Sequence, residues 1–491
     1  MKPRLHHFIL IATLFTSIIT HWNIFNKDLI GVHLWRQIQN QWNIRNFYRE
    51  DNNILNPRIA AHNLGQEGNI LRYEFPLMAW SIAQVQRLAG ESIVVTRVSM
   101  FLFGLLGVVG FYFLVLLLFR EKNLAACGAW ILSFSPLFYY YTMNPLSDVP
   151  AMAAQIWMMV FTVRYYKLHL WRDLVWSAFF LCLAGLFKLP FIVFGILPLM
   201  AILLIYMREG KSEKLLIKSL VLVFIFCVPV ILWYTYAIRA WVSMGVLKGI
   251  FGADEIHKLP GYIRFHVLHW LPNYIVNPVS ILFLIAGLIA LIKLRSIKSG
   301  ISVLLISGVI ACLGYYIYEI NMISTVHDYY FIPFLVWLHL LIVYGLYRVW
   351  QIIPLRPLCV ILLAAMPVIT YMKMNNYYWH IDRNWYNTDW FTYTDNLRKA
   401  VPDDELCIFL NDHTGVVFPY QVDKQGYVFD KDDLPLPWIE DMIINRDVKY
   451  MYSDSRKVDS SQAVQAYIDT LILEQGSVKV FRLARPDQSK K

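Results

Sequence analysis

Four ionisable residues that could handle a phosphate group and a proton lie beside apolar stretches of this 491-residue sequence. Arg36 and Glu74 lie in a long polar segment after the first apolar stretch, Asp148 directly precedes a later stretch, and Lys188 separates two others. Arginine and lysine suit phosphate oxygens, and a carboxylate can accept the proton of a hydroxyl. Because water must reach such side chains, the pattern predicts an enzyme that works at one face of a membrane.

The composition is that of a membrane protein. Hydrophobic residues make up 58% of the chain and charged residues 16%, against about 45–50% and about 25% in soluble domains. The net charge of +10 is unevenly spread, because the segment from Lys373 onward has 15 Lys and Arg against 19 Asp and Glu. The basic excess therefore lies among the apolar stretches, where it orients the chain, and no nucleic acid partner is expected. The six cysteines show neither a disulfide framework nor zinc-ligand spacing.

Apolar windows of about 20 residues predict a polytopic α-helical membrane protein with about eleven spans. The first window lacks the small residues of a cleavage site, so we expect it to remain as a span. The windows lie near residues 5–24, 94–119, 124–142, 149–166, 173–188, 190–207, 216–238, 278–294, 301–318, 331–349 and 357–372.

Lysine and arginine in the short connections predict the orientation, because they favour the cytoplasmic side. With a cytoplasmic N-terminus the inner connections are basic, and they contain Arg120, Lys122, Arg164, Lys167, Arg172, Arg208, Lys211, Lys214, Lys218, Lys293, Arg295, Lys298, Arg348 and Arg356. The long polar segment, the turns at Asp148 and Lys188 and the C-terminal segment then lie outside. We therefore expect any chemistry on the extracytoplasmic face.

Two domains are expected. Residues 1–372 form the membrane domain, with its first outer loop at 23–92, and residues 373–491 form a small extracytoplasmic α/β domain of about 110 residues. No catalytic motif is visible in the second domain. Its predicted strands are Leu406–Leu410, Val448–Tyr452 and Val478–Leu483, and its predicted helices are Pro435–Ile444 and Ser461–Leu473.

The first loop reads His33-Leu34-Trp35-Arg36-Gln37, continues to Arg45-Asn46-Phe47-Tyr48, and later contains Tyr73-Glu74-Phe75-Pro76. Together with the order of the elements, these segments resemble the polytopic glycosyltransferases of superfamily C, in particular the protein O-mannosyltransferase and aminoarabinose-transferase group. Arg36 and the Arg45-Asn46 stretch match the family signature. The acidic pair of that signature is replaced by His33 and Leu34, which makes this a His-x-Trp-Arg-Gln variant. The resemblance extends over roughly residues 1–372.

Members of this group take a sugar from a polyprenyl-phosphate carrier and attach it to an acceptor outside the cytoplasm. The resemblance therefore implies a multi-pass glycosyltransferase of a bacterial inner membrane. Its expected partners are a polyprenyl-phosphate-linked sugar, membrane lipid, and a glycolipid, polysaccharide or protein acceptor.

The resemblance also implies roles for individual residues. His33, Asp148 and Glu74 are the acid–base candidates, with His33 or Asp148 preferred as the base and Glu74 as a metal or substrate ligand. Arg36 and Lys188 would bind the donor phosphate. Structural roles remain open for three of them: Asp148 as a helix N-cap, Lys188 as a snorkelling cation at a helix end, and Arg36 as the partner of an acid in the same loop.

The turn His327-Asp328-Tyr329-Tyr330 resembles the family's turn before a late outer span, and Trp35 and Gln37 complete the predicted substrate-binding set. These side chains offer donors and acceptors for phosphate and sugar hydroxyls, although the tyrosines also suit an interfacial anchor. His266 and His269 lie three residues apart and, with Glu74, could hold a divalent metal ion, which is the one candidate cofactor.

Two other classes of function fit the same pattern of spans. The first is a polymerase, ligase or flippase for lipid-linked glycans, although a flippase would line its path across the membrane with charges, and most ionisable residues here lie at the ends of spans. The second is a catalytically silent member of the superfamily that has lost the acidic pair. A single-turnover transfer assay would separate the silent member from an enzyme.

Overall fold

The computed structural model of the chain describes residues 5–210, 212–239, 249–252, 256–292, 300–382, 385–430 and 434–484. Among the basic residues of the predicted inner connections, Lys211, Lys293, Arg295 and Lys298 lie outside these ranges. Two compact units are formed. The helical unit comprises Met1–Asp28, Tyr73–Met78 and Ser92–Tyr378, and the sheet unit comprises Leu29–Arg72, Ala79–Glu91 and Trp379–Lys491.

Helices, most of them long, dominate the chain as far as residue 373. In order they are α1 (Leu5–His21), α2 (Leu34–Arg49), α3 (Leu77–Ala89), α4 (Ile93–Phe119), α5 (Lys122–Ser133), α6 (Pro136–Tyr141), α7 (Asp148–Leu168), α8 (Trp171–Phe187), α9 (Ile196–Glu209), α10 (Glu213–Ile238), α11 (Leu259–Phe265), α12 (Ile281–Ile292), α13 (Gly300–Ile323), α14 (Ile332–Trp350) and α15 (Arg356–Lys373). Short 3₁₀ segments at Leu189–Gly195 and Asp328–Phe331 precede α9 and α14, and a π-helical segment at His266–Ile275 follows α11.

Within the described residues, seven helical segments are long and apolar enough to cross a membrane, and a pair bent by 116° would make an eighth. Every window predicted as a span contains helix. Three predicted windows are not among these segments. The window at 124–142 is broken into α5 and α6 before Pro136, and the windows at 149–166 and 173–188 correspond to α7 and α8. The seven segments are Leu5–Ile24, Ile93–Phe119, Leu189–Arg208, Glu213–Ile238, Gly300–Ile323, Asp328–Trp350 and Ile353–Tyr378, and the bent pair is Ile256–Ile275 with Pro278–Ile292.

Arg97 on α4 fixes the turn that leads into α7. Its side chain is fully buried, and it donates hydrogen bonds to the carbonyl oxygens of Lys27 and Asp28, to the Met143 carbonyl at 2.8 Å and to Asn144 Oδ1. A guanidinium can satisfy several carbonyl oxygens at once, which a buried turn requires because its backbone has no water to bind. The end of the first helical segment and the start of α7 are thereby fixed together.

The helices α12 and α14 approach closely through glycine. A Cβ atom on Gly345 would lie 1.8 Å from the Phe283 carbonyl oxygen, and one on Gly287 would lie 2.3 Å from the Leu341 carbonyl oxygen. Small residues at a helix crossing allow this backbone contact, as is common between membrane helices. The contact keeps α14, and the turn before it, in a fixed place.

The C-terminal part of the sheet unit contains a five-stranded mixed sheet with the order β2-β1-β3-β5-β4. Three predicted strands and the helix near Pro435–Ile444 are present with small differences at their ends. The strands are β1 (Cys407–Leu410), β2 (Gly426–Phe429), β3 (Tyr450–Ser453), β4 (Ile468–Gln475) and β5 (Val478–Leu483), and the helices are α16 (Asp389–Thr392), α17 (Thr394–Lys399), α18 (Val417–Val422), α19 (Leu436–Asn445), α20 (Arg456–Asp459) and α21 (Gln462–Gln465).

The predicted helix Ser461–Leu473 is wrong. Only Gln462–Gln465 is helical, and the rest of that segment begins β4, which pairs with β5 in antiparallel register. Gly476 has φ +61° between the two strands. A glycine with positive φ in a short loop makes a tight hairpin, and the hydrogen bonds that follow override the helical spacing of the apolar residues.

The first outer loop pairs with the C-terminal sheet inside the sheet unit. Ala61 forms a parallel bridge with Gly426, the first residue of β2. The side chain of Asn63 also donates to the Val428 carbonyl at 2.7 Å and accepts from the Val428 amide at 3.1 Å. The loop therefore extends the open edge of the sheet at β2, which would otherwise present unpaired backbone groups.

Candidate active site

Three of the residues predicted from the sequence meet in the helical unit. The Lys188 Nζ atom lies 2.9 Å from Glu74 Oε1 and 3.4 Å from Asp148 Oδ2. The side chains of Lys188 and Asp148 are almost completely buried, and that of Glu74 is 17% exposed. A single buried ammonium thus compensates two carboxylates, an arrangement in which removal of any partner leaves an uncompensated charge.

The helical hairpin of α7 and α8 explains why two of these residues meet. Asp148 is the first residue of α7, and Lys188 directly follows α8. Two antiparallel helices joined by a short connection bring the start of the first helix beside the end of the second. Ser147 occupies the N-cap position, so Asp148 is not the N-cap, although a carboxylate in the first turn still interacts favourably with the helix dipole.

The turn before α14 places aromatic rings against the same ammonium. Lys188 Nζ lies 5.5 Å from the ring centre of Tyr329 and 5.6 Å from that of Tyr330. Both distances fit cation–π contacts. His327 belongs to the same turn, and its Nδ1 atom lies 2.7 Å from the Met322 carbonyl oxygen, which fixes the ring.

Asp328 is held by two tyrosines. Its Oδ1 atom accepts a hydrogen bond from the Tyr141 hydroxyl at 2.6 Å, and its Oδ2 atom accepts one from the Tyr378 hydroxyl at 2.5 Å. The carboxyl is 2% exposed. Neither tyrosine stands out in the sequence, because tyrosines near span ends are common at membrane interfaces. These contacts favour a positioning role for Asp328 in the turn of Tyr329 and Tyr330.

Glu319 on α13 is an acid of this region that the sequence interpretation missed. It lies within electrostatic range of Lys188 and is 8% exposed, and its Oε2 atom is buried without a hydrogen-bond partner among the described residues. Tyr315, one helical turn earlier, is within electrostatic range of Asp148 and Tyr330. The available signal was an acid inside an apolar span, which usually marks a functional position.

An apolar groove of about 580 Å³ is lined in part by residues that adjoin Lys188 in the chain or interact with it. Its lining includes Leu189, the residue after Lys188, and Tyr234 on α10, which is within electrostatic range of both Lys188 and Glu74. Phe75, the residue after Glu74, packs against a hydrophobic cluster that includes Tyr234 and Val230 of the groove lining. The remaining lining residues are Ile192, Cys227, Val230, Ile231, Thr235, Ile238 and Arg239.

Glu74 apart, the predicted site residues of the first loop belong to the sheet unit. His33 precedes α2, where its carbonyl oxygen accepts from the amides of Arg36 and Gln37, and it has φ 56°. This left-handed conformation is unusual for a residue other than glycine and carries strain of about 1 kcal/mol or more. The Arg36 side chain donates to Gln39 Oε1, and Gln37 Nε2 donates to the Val32 carbonyl at 2.8 Å. Trp35 accompanies them in the first turn of α2.

The described residues do not form the metal site predicted from Glu74, His266 and His269. They contain no group of three or more His, Cys, Asp or Glu side chains placed to hold a metal ion. Both ring nitrogens of His266 are engaged, Nδ1 with the Tyr316 hydroxyl at 2.8 Å and Nε2 with the Ser324 carbonyl. Because Glu74 is bonded to the ammonium of Lys188, the residues present do not fit a divalent cation.

Lys188, Glu74 and Asp148 form an ion cluster. A protein family matches the segment that contains all three of these residues. The profile of the dolichyl-phosphate-mannose-protein mannosyltransferase family matches residues 74–233. No curated protein sequence matches the chain significantly.

Solved structures extend the likeness to nearly the whole chain. The crystal structure of ArnT from Cupriavidus metallidurans in the apo state has a TM-score of 0.63 at 11% identity, with 97% of each chain covered. The same protein bound to undecaprenyl phosphate has a TM-score of 0.62 at 11% identity, with the same coverage. The Archaeoglobus fulgidus oligosaccharyltransferase in complex with Zn and sulfate has a TM-score of 0.58 at 14% identity, covering 91% of this chain and 68% of that chain.

At these identities the solved structures establish a shared fold. Together with the family match over residues 74–233, that fold confirms the resemblance to the glycosyltransferases of superfamily C that the sequence predicts.

Proposed function

We propose that the chain is a membrane glycosyltransferase, which takes a sugar from a polyprenyl-phosphate carrier and attaches it to a hydroxyl of an extracytoplasmic glycolipid, polysaccharide or protein. The observation that carries the proposal is the link between the ion cluster and the apolar groove. Lys188 and Leu189 are adjacent in the chain, and one lies in the cluster while the other lines the groove. A polyprenyl phosphate has the same construction, a charged head joined directly to an apolar tail.

Lys188 would bind the phosphate of the carrier. Its ammonium is already buried against Glu74 and Asp148, so a phosphate can replace one carboxylate as the partner of Lys188 without new desolvation of the cation. The groove would orient the isoprenoid tail. Its contribution to affinity is small, because lipid tails in the bilayer are already in apolar surroundings.

The transfer step itself needs a proton acceptor and a charge stabiliser. The acceptor oxygen bonds to the anomeric carbon, the bond from that carbon to the phosphate oxygen breaks, and the phosphate leaves with the bonding electrons. The hydroxyl proton goes to a carboxylate, for which Asp148 is our first candidate, while Lys188 stabilises the charge on the departing phosphate. Glu74 would hold the sugar or the acceptor.

Roles in the reaction are also proposed for four residues of the first loop. Arg36 would bind the phosphate as a second cation, Trp35 and Gln37 would contact the substrate, and His33 is the alternative base. The strained backbone of His33 supports a functional role, because such strain is commonly retained at active sites. His327, Tyr329 and Tyr330 would contact the sugar or the carrier phosphate.

We also propose the membrane arrangement that the basic connections predict. The N-terminus is cytoplasmic, about eleven spans cross a bacterial inner membrane, and the site lies on the extracytoplasmic side. Residues 1–372 form the transferase domain and residues 373–491 the soluble domain. The structure of ArnT bound to undecaprenyl phosphate supports a polyprenyl-phosphate carrier. The structure of the Archaeoglobus fulgidus oligosaccharyltransferase tethered to an acceptor peptide shows that a protein of similar fold is compatible with a peptide acceptor.

A transfer assay tests the proposal. Purified protein should transfer labelled sugar from a polyprenyl-phosphate donor to an envelope extract, and Asp148→Asn should reduce transfer by about 100-fold or more, as expected for a lost base. Glu213→Gln is the matched control, because Glu213 is an exposed carboxylate in the first turn of α10, outside the cluster. Full transfer by Asp148→Asn, Glu74→Gln and His33→Ala variants alike would refute the assigned site, and no transfer with any polyprenyl-phosphate sugar would refute the function.

A further inference from the structure

A second groove lies entirely within the C-terminal part of the sheet unit, far along the chain from the residues discussed above. It has a volume of about 740 Å³, which is within the range of small-molecule sites. The polar residues that line it are Arg398, Lys399, Asp403, Tyr450, Thr470 and Arg482.

One wall of the groove is a face of the sheet. Tyr450 on β3 is opposite Arg482 on β5, and Arg482 is opposite Thr470 on β4. Residues directly opposite each other on neighbouring strands project from the same face. With strands about 4.8 Å apart, the row of phenol, guanidinium and hydroxyl extends over about 10 Å. Such a row offers an aromatic surface and several hydrogen-bond donors to an extended polar ligand.

The other wall is the end of α17. Arg398 Nη2 donates to the Gln421 carbonyl at 3.2 Å, which orients the guanidinium, while its Nε atom is buried and has no hydrogen-bond partner among the residues that the structure describes. Lys399 is exposed. The groove therefore contains an oriented guanidinium beside an exposed ammonium, a combination suited to carboxylate or phosphate oxygens.

The charge of the groove differs from that of its surroundings. The chain from Lys373 onward has more acids than bases, 19 against 15, yet the groove has three cations and a single acid in its lining. That acid, Asp403, is neutralised by Lys424 at 2.5 Å, and the hydrogen bond from Lys424 holds the pKa of Asp403 below its usual value. Arg482 lies 3.8 Å from Asp469, a longer contact on an exposed side chain. The groove is therefore a positive patch on an acidic domain.

We propose that this groove binds an oligosaccharide that carries acidic groups, and that this glycan is the acceptor, which rests on the proposed transferase function. The cations select the acidic groups, Tyr450 packs against a sugar ring, and Thr470 bonds a hydroxyl. The acceptor class is then an anionic glycan, and this groove recognises it separately from the residues that handle the donor.

Direct binding to the full-length protein in zwitterionic nanodiscs tests this inference, with trigalacturonate as the acidic probe and maltotriose as its neutral counterpart. Trigalacturonate should bind and maltotriose should not, and the affinity should fall as salt is raised. In the double variant Lys399→Gln/Arg482→Gln we expect an affinity loss of about tenfold or more, because charged hydrogen bonds are lost. The side chain of Arg482 is 63% exposed, so this variant should fold normally.

Arg446→Gln is the matched control, because Arg446 is an exposed cation of the same domain that pairs with Asp441 and does not line the groove. Its affinity for trigalacturonate should equal that of the unchanged protein. Equal binding of maltotriose, unchanged binding by the double variant, or equally tight binding of inorganic phosphate would overturn the proposal. Binding to anionic vesicles without binding to trigalacturonate would also overturn it, in favour of a lipid site.

The variant Lys188→Met separates this inference from the proposed function. It should bind trigalacturonate normally and transfer no sugar. Normal transfer by Lys188→Met would count against the proposed donor site but not against the groove. Loss of transfer in Lys188→Met, with no trigalacturonate binding by the unchanged protein, would count against the groove alone.

Discussion

Asp148 begins one helix and Lys188 follows the end of the next, and their side chains meet at 3.4 Å. The antiparallel pairing of α7 and α8 creates this contact, so it depends on the helical hairpin rather than on any flexible loop. Glu74 then reaches the same ammonium from a different part of the chain. Two carboxylates and one ammonium that share a buried site depend strongly on one another, because the loss of any one leaves a buried charge uncompensated.

Replacing Lys188 should abolish transfer. Lys188→Met removes the cation that would stabilise the departing phosphate, and it leaves Glu74 and Asp148 uncompensated, so we expect transfer to fall by about 100-fold or more. Lys188→Arg keeps the charge and should retain more activity. Initial rates with saturating donor measure the effect, with the exposed Lys122→Met as control. Equal losses in the Met and Arg variants would mean that shape matters at this position more than charge.

Neutralising Glu319 should strengthen donor binding. A carboxylate within range of Lys188 repels the donor phosphate, and Glu319→Gln removes that repulsion while keeping the size of the side chain. We therefore expect the donor KM to fall about threefold to tenfold, as a charge contact of about 1 kcal/mol through partly screened surroundings would give. Steady-state kinetics over a range of donor concentrations provide the measurement. A rise in KM would instead identify Glu319 as a residue that binds the donor sugar.

The tyrosines that hold Asp328 should be energetically coupled to it. Tyr141→Phe and Tyr378→Phe each leave one buried carboxylate oxygen without its hydroxyl, at a cost of about 1–3 kcal/mol in the free energy of unfolding. Because both act through Asp328, the combination of either change with Asp328→Asn should cost less than the sum of the single changes. Thermal unfolding in detergent measures this double-mutant cycle. Strict additivity would mean that the hydrogen bonds contribute nothing, and Tyr236→Phe, on a half-exposed side chain, is the control.

The contact of Asp423 with α2 should make the sheet unit sensitive to acid. Burial works to raise the pKa of Asp423, but its hydrogen bond with Arg49 and the charge of Arg45 hold the pKa below the usual value of 3.8. A lowered pKa in the folded state stabilises the protein at any pH above that usual value, and the stabilisation is lost as the pH falls through the folded-state pKa. Glu91 binds the same arginines, and Arg398 is also within electrostatic range of Asp423.

We therefore expect Asp423→Asn to lower the free energy of unfolding by about 1–3 kcal/mol at pH 7. The difference from the unchanged protein should persist down to about pH 4 and shrink below it. Unfolding temperatures measured from pH 3 to pH 7 test this, and Asp441→Asn, which breaks an exposed pair with Arg446, should have almost no effect. A difference that grew on acidification would show that the sign of the pKa shift is wrong.

The sequence was sufficient for those features that depend on one element at a time. Asp148 and Lys188 could be predicted because each stands at the end of an apolar stretch and the charges of the connections put both ends on one side. The windows of the spans were recognisable for the same reason, since length and hydropathy are local properties. Strand β5 was predicted because its short apolar run is rich in β-branched and aromatic residues, which is a local property of the sequence.

Features that depend on pairing could not be predicted in this way. The segment that becomes β4 has apolar residues at helical spacing, and only its partner β5 across Gly476 makes it a strand. The tyrosines around Asp328 come from α6 and from the end of the segment after α15, so no spacing in the sequence connects them. His266 resembles a metal ligand in the sequence, but Tyr316 and Ser324 engage both of its ring nitrogens in the fold. Both partners are at least 50 residues away in the chain, so the sequence gives no sign of them.

The bridge between Ala61 and Gly426 has a consequence for how this protein is made. Asn63 and Val428, which bond each other beside that bridge, are 365 positions apart, so a ribosome must finish nearly the whole polypeptide before the early segment finds its partner. During synthesis the segment around Ala61 and Asn63 therefore lacks its backbone hydrogen-bond partners, and contacts between residues so far apart in the chain form late and slowly. Premature termination near the end of the message would thus damage a region encoded close to its beginning.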